Sequence, residues 1–282
     1  MIAVVDYQKG NLKSVERGLI AAGGEALITA DASEIARADA IVLPGVGAFA
    51  DAAATMCELG QMEAIRDRVR AGVPFLGICL GEHLMFEHGV EGAPEGNPAC
   101  GLGLLPGTVV AMPRCDAQGK AFKVPHVGWN TIEIPACSGG AAVPPRGEGG
   151  GNAVLSSGGA GGGAARSSAA KRGLFEYGAF PGSAPQVGSE LAFPDSTPQP
   201  GSNLAFACPL FDGIAPGEYF YFTHSYIAPT GSHTIAETTH SVRFTSAVQF
   251  GECAFGVQFH PEKSSDAGAR VLANFVTIAA RG

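Results

Sequence analysis

Short runs of apolar and β-branched residues alternate with helical patterns through the N-terminal third of this 282-residue chain. The runs at 2–5, 40–43 and 75–78 are predicted strands, and the apolar spacing over 11–22 and 51–71 predicts helices. This alternation is typical of a parallel sheet with helices packed on its faces. Ligands bind at the carboxyl ends of strands in such sheets, so the loops that follow these strands are the expected site of function.

A second group of predicted strands lies near the C-terminus. Residues 218–223, 241–249 and 254–259 are rich in aromatic and β-branched residues, and 266–279 has the apolar spacing of a helix. These segments indicate an antiparallel extension of the parallel sheet. The predicted fold class is therefore α/β, with an open, mostly parallel sheet flanked by helices and extended by antiparallel strands.

The segment 138–205 differs in composition from the rest of the chain. It is dominated by Gly, Ala, Ser and Pro, and it lacks a periodic apolar pattern. Such a segment cannot bury enough apolar surface to offset the entropy of ordering it, so we expect a disordered surface insertion within a single domain over 1–282. The glycine-rich run at 158–163 is not followed by the Gly-Lys-Ser/Thr of a phosphate-binding loop. The apolar patch at 174–177 either folds or docks on the domain.

Charge and cysteine content exclude several classes of protein. A net charge of −8 provides no basic surface for nucleic acid or for anionic lipid. The apolar opening at 1–5 ends at Asp6, far too early for a signal peptide or a membrane span. The seven cysteines include no C-x-x-C pair and no clustered Cys/His spacing, which argues against a disulfide framework or a zinc site. We expect a cytoplasmic protein that needs no metal and no cofactor.

The sequence Gly77-Ile78-Cys79-Leu80-Gly81 places one cysteine between two glycines, where a predicted strand meets a helix predicted to carry Leu84, Met85 and Phe86. A nucleophile elbow has this arrangement. The helix N-terminus would favour the thiolate form of Cys79, and the backbone N–H of Leu80 would stabilise an oxyanion. A buried cysteine in a tight turn is the alternative interpretation.

A histidine and a carboxylate follow the last predicted strand, in the sequence Gln258-Phe259-His260-Pro261-Glu262. Residues two apart along an extended backbone face the same way, and Pro261 favours extended geometry at His260, so His260 and Glu262 are expected to project together. A cysteine nucleophile needs an imidazole to accept its proton and a carboxylate to fix the imidazole tautomer. The sequence therefore predicts a triad of Cys79, His260 and Glu262, against the alternative of a structural histidine beside a surface carboxylate.

A series of motifs occurs in the same order as in one enzyme family. The motifs are Asp6-Tyr7, Gly10-Asn11-Leu12, Leu43-Pro44-Gly45-Val46-Gly47-Ala48-Phe49, Gly77-Ile78-Cys79-Leu80-Gly81, Gly101-Leu102-Gly103, Pro125-His126-Val127-Gly128-Trp129-Asn130, His224-Ser225-Tyr226 and Gln258-Phe259-His260-Pro261-Glu262-Lys263-Ser264. In this order they closely resemble the glutaminase subunit of imidazole glycerol phosphate synthase, a class I glutamine amidotransferase. The resemblance covers nearly the whole chain outside 138–205.

This resemblance implies that Cys79, His260 and Glu262 hydrolyse L-glutamine to glutamate and ammonia through a thioester. It also implies an oxyanion hole and a glutamine pocket around the nucleophile. The residues expected in them are Gly45, Val46, Gly47, Leu80, His83, His224, Ser225 and Tyr226.

The family works as a heterodimer with a cyclase subunit that is a (β/α)8 barrel. Ammonia passes to the cyclase and reacts with a phosphoribulosyl-formimino-aminoimidazole-carboxamide ribotide. The products of this lyase-type complex are imidazole glycerol phosphate and an aminoimidazole-carboxamide ribotide, in histidine biosynthesis. Asn11, Tyr226 and Lys263 match positions that resemble the partner-facing surface, and an ordinary polar surface is the alternative.

Three positions depart from the family pattern. Glu82-His83 stands where Met-Gln is usual, and Gln8 stands where a glycine is usual, so the loop after the first strand is expected to be disturbed. His83 follows Cys79 by one helical turn and is expected to lie over the sulfur. It either replaces the missing amide, weakens glutamine binding, or competes with His260 for the thiol proton. Changing His83→Gln should lower the KM for glutamine.

Two other functions compete with this one. A class I amidotransferase for another acceptor, such as an aminodeoxychorismate-type or pyridoxal-phosphate-forming system, would share the glutaminase chemistry and differ in its partner. A non-catalytic binding subunit would keep the fold and have lost turnover through Glu82-His83. Gly128-Trp129-Asn130 and Lys263-Ser264 favour the imidazole glycerol phosphate synthase subunit over other class I amidotransferases.

Overall fold

The computed structural model describes residues 1–133, 208–215 and 217–281. All of these residues belong to one compact unit. The segment 138–205, with its patch at 174–177, lies outside the described residues, so the insertion stays a prediction. Within the described ranges, no helix is long and apolar enough to cross a membrane.

Short strands and helices alternate along the described chain. The strands are β1 (Ile2–Val5), β2 (Ala26–Thr29), β3 (Ala40–Gly45), β4 (Phe75–Cys79), β5 (Phe86–Gly89), β6 (Ala99–Cys100), β7 (Leu105–Ala111), β8 (His126–Thr131), β9 (Tyr219–His224), β10 (Tyr226–Ile227), β11 (Thr234–Thr239), β12 (Arg243–Phe250) and β13 (Ala254–Val257). The α-helices are α1 (Leu12–Ala21), α2 (Ala32–Ile35), α3 (Phe49–Glu58), α4 (Gln61–Arg70), α5 (Leu80–His83) and α6 (Ser265–Ala279). Two 3-10 turns lie at Pro209–Phe211 and Pro261–Lys263.

A seven-stranded sheet with the strand order β11-β12-β13-β4-β3-β1-β2 forms the centre of the fold. Its strands from β13 to β2 run parallel, and β12 and β11 continue it in antiparallel pairing. This arrangement confirms the predicted parallel sheet with an antiparallel extension. All positions of β1, β3, β4 and β13 are buried, because helices cover both faces, and this burial explains their continuous apolar runs.

The two faces of the sheet carry separate apolar cores. Along β1, Ile2 and Val4 face the core shared with α1 and α6, and Ala3 and Val5 face the core shared with α3 and α4. This division follows from the alternation of side chains along a strand. Adjacent residues at the end of β4 belong to different cores, since Cys79 is part of the first and Leu80 is part of the second.

Two smaller sheets flank the central one. One has the strand order β10-β7-β5-β6, and the other is the antiparallel pair of β8 and β9. The pair joins His126 to His224 and Trp129 to Tyr221. These additional strands were not predicted, apart from β9, since most of them are short or lie at an edge where the apolar pattern is weak.

Two helix predictions were wrong. The predicted helix over 51–71 is divided into α3 and α4, because Gly60 adopts a φ of 68° in the left-handed region that ends a helix. The helix predicted to carry Leu84 and Phe86 ends at His83. The carbonyl of Leu84 accepts the N–H of Leu102, and Phe86 begins β5. With only one turn, α5 offers Cys79 a weak helix dipole.

The loop after β1 carries the departure at Gln8. Gln8 has a φ of 69°, a conformation that glycine adopts without steric cost, and its N–H bonds to Asp6 Oδ1 at 2.7 Å. The glycine usual at this position in the family therefore has a steric basis. Gln8 adopts this conformation at a cost in backbone strain of about 1–2 kcal/mol.

Candidate active site

Cys79 lies where β4 ends and α5 begins. Its φ of 54° is unusual for a residue with a side chain, and such strain often accompanies function. A Cβ on Gly81 would lie 1.8 Å from the carbonyl oxygen of Leu43, and a Cβ on Gly77 would lie 2.5 Å from that of Gly81. Both positions therefore require glycine, and the turn has the tight geometry predicted for an elbow.

The segment after β13 brings a histidine and a carboxylate to the same edge of the sheet. Because β13 runs parallel to β4 with Val257 beside Ile78, the residues that follow the two strands meet. His260 Nδ1 lies 2.9 Å from Glu262 Oε1, and the two side chains are 3% and 2% exposed. His260 is extended as predicted, but Pro261–Lys263 forms a 3-10 turn rather than extended backbone.

The charge state of His260 depends on its neighbours. Burial lowers the pKa of His260, but interactions with Cys79 and then with Glu262 outweigh burial and raise it to about 9. Its Nε2 is buried, and within the usual distance limit it forms no hydrogen bond to any other described residue. The imidazole is thus expected to be protonated at neutral pH.

Two further residues contact the sulfur of Cys79. Gln258 Nε2 lies 3.6 Å from Sγ, and the carbonyl oxygen of Thr223 lies 3.9 Å from it. Sequence reasoning included Gln258 only as part of a motif and did not consider Thr223. The available signal for Gln258 was its position just past a strand that pairs with the strand of Cys79.

His83 contacts Gln258, which in turn contacts the sulfur of Cys79. His83 Nε2 lies 2.6 Å from Gln258 Oε1, and the hydrogen bonds of the described residues include none between His83 and Cys79. Burial lowers the pKa of His83 to about 4, so the ring is neutral at physiological pH. The geometry therefore gives no support to His83 as a second proton acceptor for the thiol.

Glu82 is a fully buried carboxyl without a hydrogen-bond partner among the described residues. It fits against β13, where a Cβ on Gly256 would lie 2.7 Å from Glu82 Cγ. Burial, and then the proximity of Cys79, hold the pKa of Glu82 well above its ordinary value. The side chain is therefore more stable as a neutral acid.

Changing Glu82→Met is expected to stabilise the protein by about 1–3 kcal/mol at neutral pH, because it removes an unpaired buried carboxyl. The folded state binds the Glu82 proton more tightly than the unfolded chain. Wild-type stability is therefore greatest below the ordinary carboxyl pKa and declines as pH rises through the raised folded value. Urea unfolding at a series of pH values measures both effects, with Glu58→Met on the exposed end of α3 as control. A stability gain that does not grow with pH would contradict the prediction.

The segment Gly45-Val46-Gly47 adjoins the elbow, as expected for an oxyanion loop. Gly45 pairs with Cys79 between β3 and β4, and a Cβ on Gly45 would lie 2.6 Å from Leu80 Cβ. The backbone N–H of Val46 donates to the Tyr7 hydroxyl at 3.0 Å, and this hydroxyl lies 3.3 Å from the carbonyl oxygen of Val46. The fully buried Tyr7, which sequence reasoning did not single out, thus holds this loop.

The predicted binding segment His224-Ser225-Tyr226 is only partly at the site. His224 follows Thr223, is buried, and bonds through Nδ1 to the carbonyl oxygen of Tyr226 at 2.8 Å. Burial lowers the pKa of His224 well below its ordinary value. The Ser225 carbonyl accepts from the N–H of Met112, and Tyr226 pairs with β7, so the backbone contacts given for both residues are with the smaller sheet and its flank.

The outer face of β8 and β9 is apolar and exposed. Val127, Trp129 and Tyr219 are 54%, 50% and 58% exposed. The predicted partner residue Lys263 is also exposed, and its Nζ lies 5.9 Å from the centre of the Tyr221 ring on this face. Asn11 lies half-buried before α1, so it is not part of the same strand face.

Comparison with known proteins identifies the class to which this fold belongs. The family model for glutamine amidotransferase class-I matches residues 3–135. A crystal structure of a glutamine amidotransferase covers 99% of this chain and 100% of its own, with a TM-score of 0.56 at 15% identity, which is a likeness of fold. The fold is that of the class I glutamine amidotransferases.

Curated relatives identify the family more closely. The imidazole glycerol phosphate synthase subunit HisH of Moorella thermoacetica is 35% identical over 276 residues, which cover 97% of this chain and 93% of that protein. The HisH subunit of Rhodopirellula baltica is 33% identical over 279 residues, with 98% and 97% covered. The chain belongs to the HisH family of imidazole glycerol phosphate synthase subunits.

Proposed function

We propose that this chain hydrolyses L-glutamine with a triad of Cys79, His260 and Glu262 and passes the ammonia to a cyclase partner in histidine biosynthesis. The observation that carries the proposal is the convergence of a strained cysteine elbow with a buried, hydrogen-bonded His260–Glu262 pair. The kinship with HisH subunits supports the choice of substrate and pathway. We also propose a cytoplasmic location, in line with the free thiols of the described cysteines.

The first half of the proposed reaction forms a thioester. The Cys79 thiolate attacks the side-chain carbonyl carbon of glutamine, and the negative charge moves to the carbonyl oxygen. Donors from the elbow and from the Gly45–Gly47 segment stabilise this oxyanion. The His260 imidazolium gives its proton to the amide nitrogen, the carbon–nitrogen bond breaks, and ammonia leaves.

The second half releases glutamate. Neutral His260 takes a proton from a water molecule, and the resulting hydroxide attacks the thioester carbon. The carbon–sulfur bond breaks, which returns Cys79 to the thiolate and His260 to the imidazolium. Glu262 keeps the imidazole in the tautomer that this proton transfer needs, through the 2.9 Å contact with Nδ1.

The proposed partner is a (β/α)8-barrel cyclase that forms imidazole glycerol phosphate and an aminoimidazole-carboxamide ribotide. The apolar face of Val127, Trp129 and Tyr219 is the docking surface that we propose for it, because exposed apolar residues grouped in this way mark interfaces. Lys263 links this face to the site, since its N–H donates to the carbonyl oxygen of His260 at 3.0 Å.

The direct test is glutamate release from glutamine by the purified chain, alone and with a cyclase subunit carrying its nucleotide ligand. We expect strong stimulation only in the full mixture. Stimulated glutamate release would exclude a non-catalytic subunit. If glutamate is not released with this cyclase but is released with another acceptor system, the result would favour a class I amidotransferase for that acceptor. Absence of glutamate under every condition would overturn the glutaminase proposal.

The pH profile tests the role of His260. We expect kcat/KM for glutamine to decline above pH about 9, because His260 then loses the proton that the departing ammonia requires. The measurement is glutamate release by the complex from about pH 6 to about pH 10 at limiting glutamine, with ammonia-dependent synthesis as control. A profile that still rises past the pKa of His260 would show that another group supplies the proton.

A further inference from the structure

A hydrogen-bonded chain leads from His83 through Gln258 to the nucleophile. His83 Nε2 lies 2.6 Å from Gln258 Oε1, and Gln258 Nε2 lies 3.6 Å from Cys79 Sγ. All three side chains are buried, so water does not compete for these contacts. This chain of contacts involves His83, one of the two residues that replace the usual Met-Gln of the family.

The chemistry of the three groups fixes the direction of the hydrogen bonds. The amide oxygen of Gln258 can only accept, so His83 must carry its proton on Nε2. With its oxygen held there, the amide must present its NH2 group to the sulfur. A thiolate can only accept, so this orientation suits it, whereas the reversed amide would direct an oxygen at the negative sulfur.

We propose that His83 is a positioning residue that orients the Gln258 amide so that it donates to the Cys79 thiolate. The inference rests on the proposed role of Cys79 as nucleophile. Of the three alternatives for His83, this inference selects the replacement of the missing amide. The imidazole makes that replacement through its hydrogen bond to Gln258. His83 is therefore expected to affect the nucleophile more than glutamine affinity.

The test is alkylation of Cys79 by iodoacetamide in the full chain, followed by mass spectrometry of the peptide that contains Cys79. Changing His83→Phe or Gln258→Leu is expected to slow alkylation at neutral pH about tenfold, because the thiolate loses a hydrogen bond. At alkaline pH the rates should converge, because the thiol is then ionised in every variant. In the double variant the rate should equal that of the slower single variant, since His83 acts through Gln258.

Matched variants separate positioning from a loss of packing. His83→Gln keeps a donor that can bond to the Gln258 amide oxygen, so it should restore alkylation to within about twofold. His88→Phe on β5, which belongs to a different sheet from β13, should leave the rate unchanged. If the phenyl ring of His83→Phe prevents folding, His83→Leu also removes the hydrogen-bond donor and provides the same comparison.

Several titratable groups interact with Cys79, with His260 or with His83 and contribute to every profile. His260 after β13, Glu82 on α5 and Tyr7 after β1 interact with Cys79, Glu262 bonds to His260, and His224 on β9 interacts with His83. These groups are unchanged in the variants. A difference between the pH profiles of alkylation for the wild type and a variant therefore reports the effect of His83 or Gln258.

The proposal would be overturned by an unchanged alkylation profile in His83→Phe, or by effects of the two single variants that multiply in the double variant. A raised KM for glutamine with normal alkylation would place His83 against the substrate instead. Because alkylation needs no glutamine turnover, the experiment is decisive even if the chain proves not to be a glutaminase.

Discussion

Changing Cys79→Ala is expected to lower glutamine-dependent synthesis by about 10⁴-fold or more, because no other group can form the thioester. Among the described residues, the groups hydrogen-bonded to the sulfur are the Gln258 amide and the Thr223 carbonyl, and neither can act as a substitute nucleophile. The measurement is formation of the cyclase products by the complex, with glutamine or with ammonium salt as nitrogen donor. Ammonia-dependent synthesis should be unchanged, since it bypasses the hydrolytic site.

A second cysteine provides the matched control. Cys57 is an exposed thiol on α3, and Cys57→Ala should retain full activity with either nitrogen donor. Retention of glutamine-dependent synthesis in Cys79→Ala would refute the nucleophile assignment. Loss of both activities would indicate a failure to assemble with the cyclase, which size-exclusion chromatography of the mixture would detect.

Four strands of the central sheet were predictable because they are buried on both faces, whereas β2 and β11 were not predicted. Such fully buried strands are short apolar runs, and β1, β3, β4 and β13 were each found within two residues of their observed ends. Edge and hairpin strands such as β6 and β10 have two residues each, too few for a periodic signal. The division at Gly60 was missed because the apolar spacing continues across it.

Those parts of the site that are formed by residues close together in the sequence were predictable. The contact between His260 and Glu262 joins residues two apart, and the steric need for Gly77 and Gly81 follows from the turn itself. The contact of Gln258 with Cys79 spans 179 positions and depends on the register of β13 against β4. No spacing rule reveals that register, so the role of His83 became visible only in the fold.

The burial of Glu82 illustrates the same limit. A charged residue in the first turn of a helix is usually solvated, and the sequence gives no sign that Glu82 faces Gly256 of β13. Its position depends on α5 lying against β3, β4 and β13 of the central sheet. A local violation of the usual pattern next to a nucleophile is expected at functional sites, where other demands outweigh stability.

Changing Glu262→Gln is expected to lower glutamine-dependent kcat/KM by up to about 10⁴-fold. An amide can turn its NH2 group toward Nδ1 of His260, which moves the imidazole proton to Nε2 and directs it at the sulfur. The variant also removes one of the two interactions that hold the pKa of His260 at about 9 against the effect of burial. The decline at alkaline pH should therefore move to lower pH in the residual activity.

This displacement of the pH profile distinguishes a role in catalysis from a loss of structure. Glu252→Gln is the charge-matched control, because Glu252 is exposed before β13 and should leave both the rate and the profile unchanged. Ammonia-dependent synthesis should be normal in both variants. A fall in kcat/KM without a change in the profile would mean that Glu262 acts by shape alone, and a fall of less than about threefold would remove it from the triad.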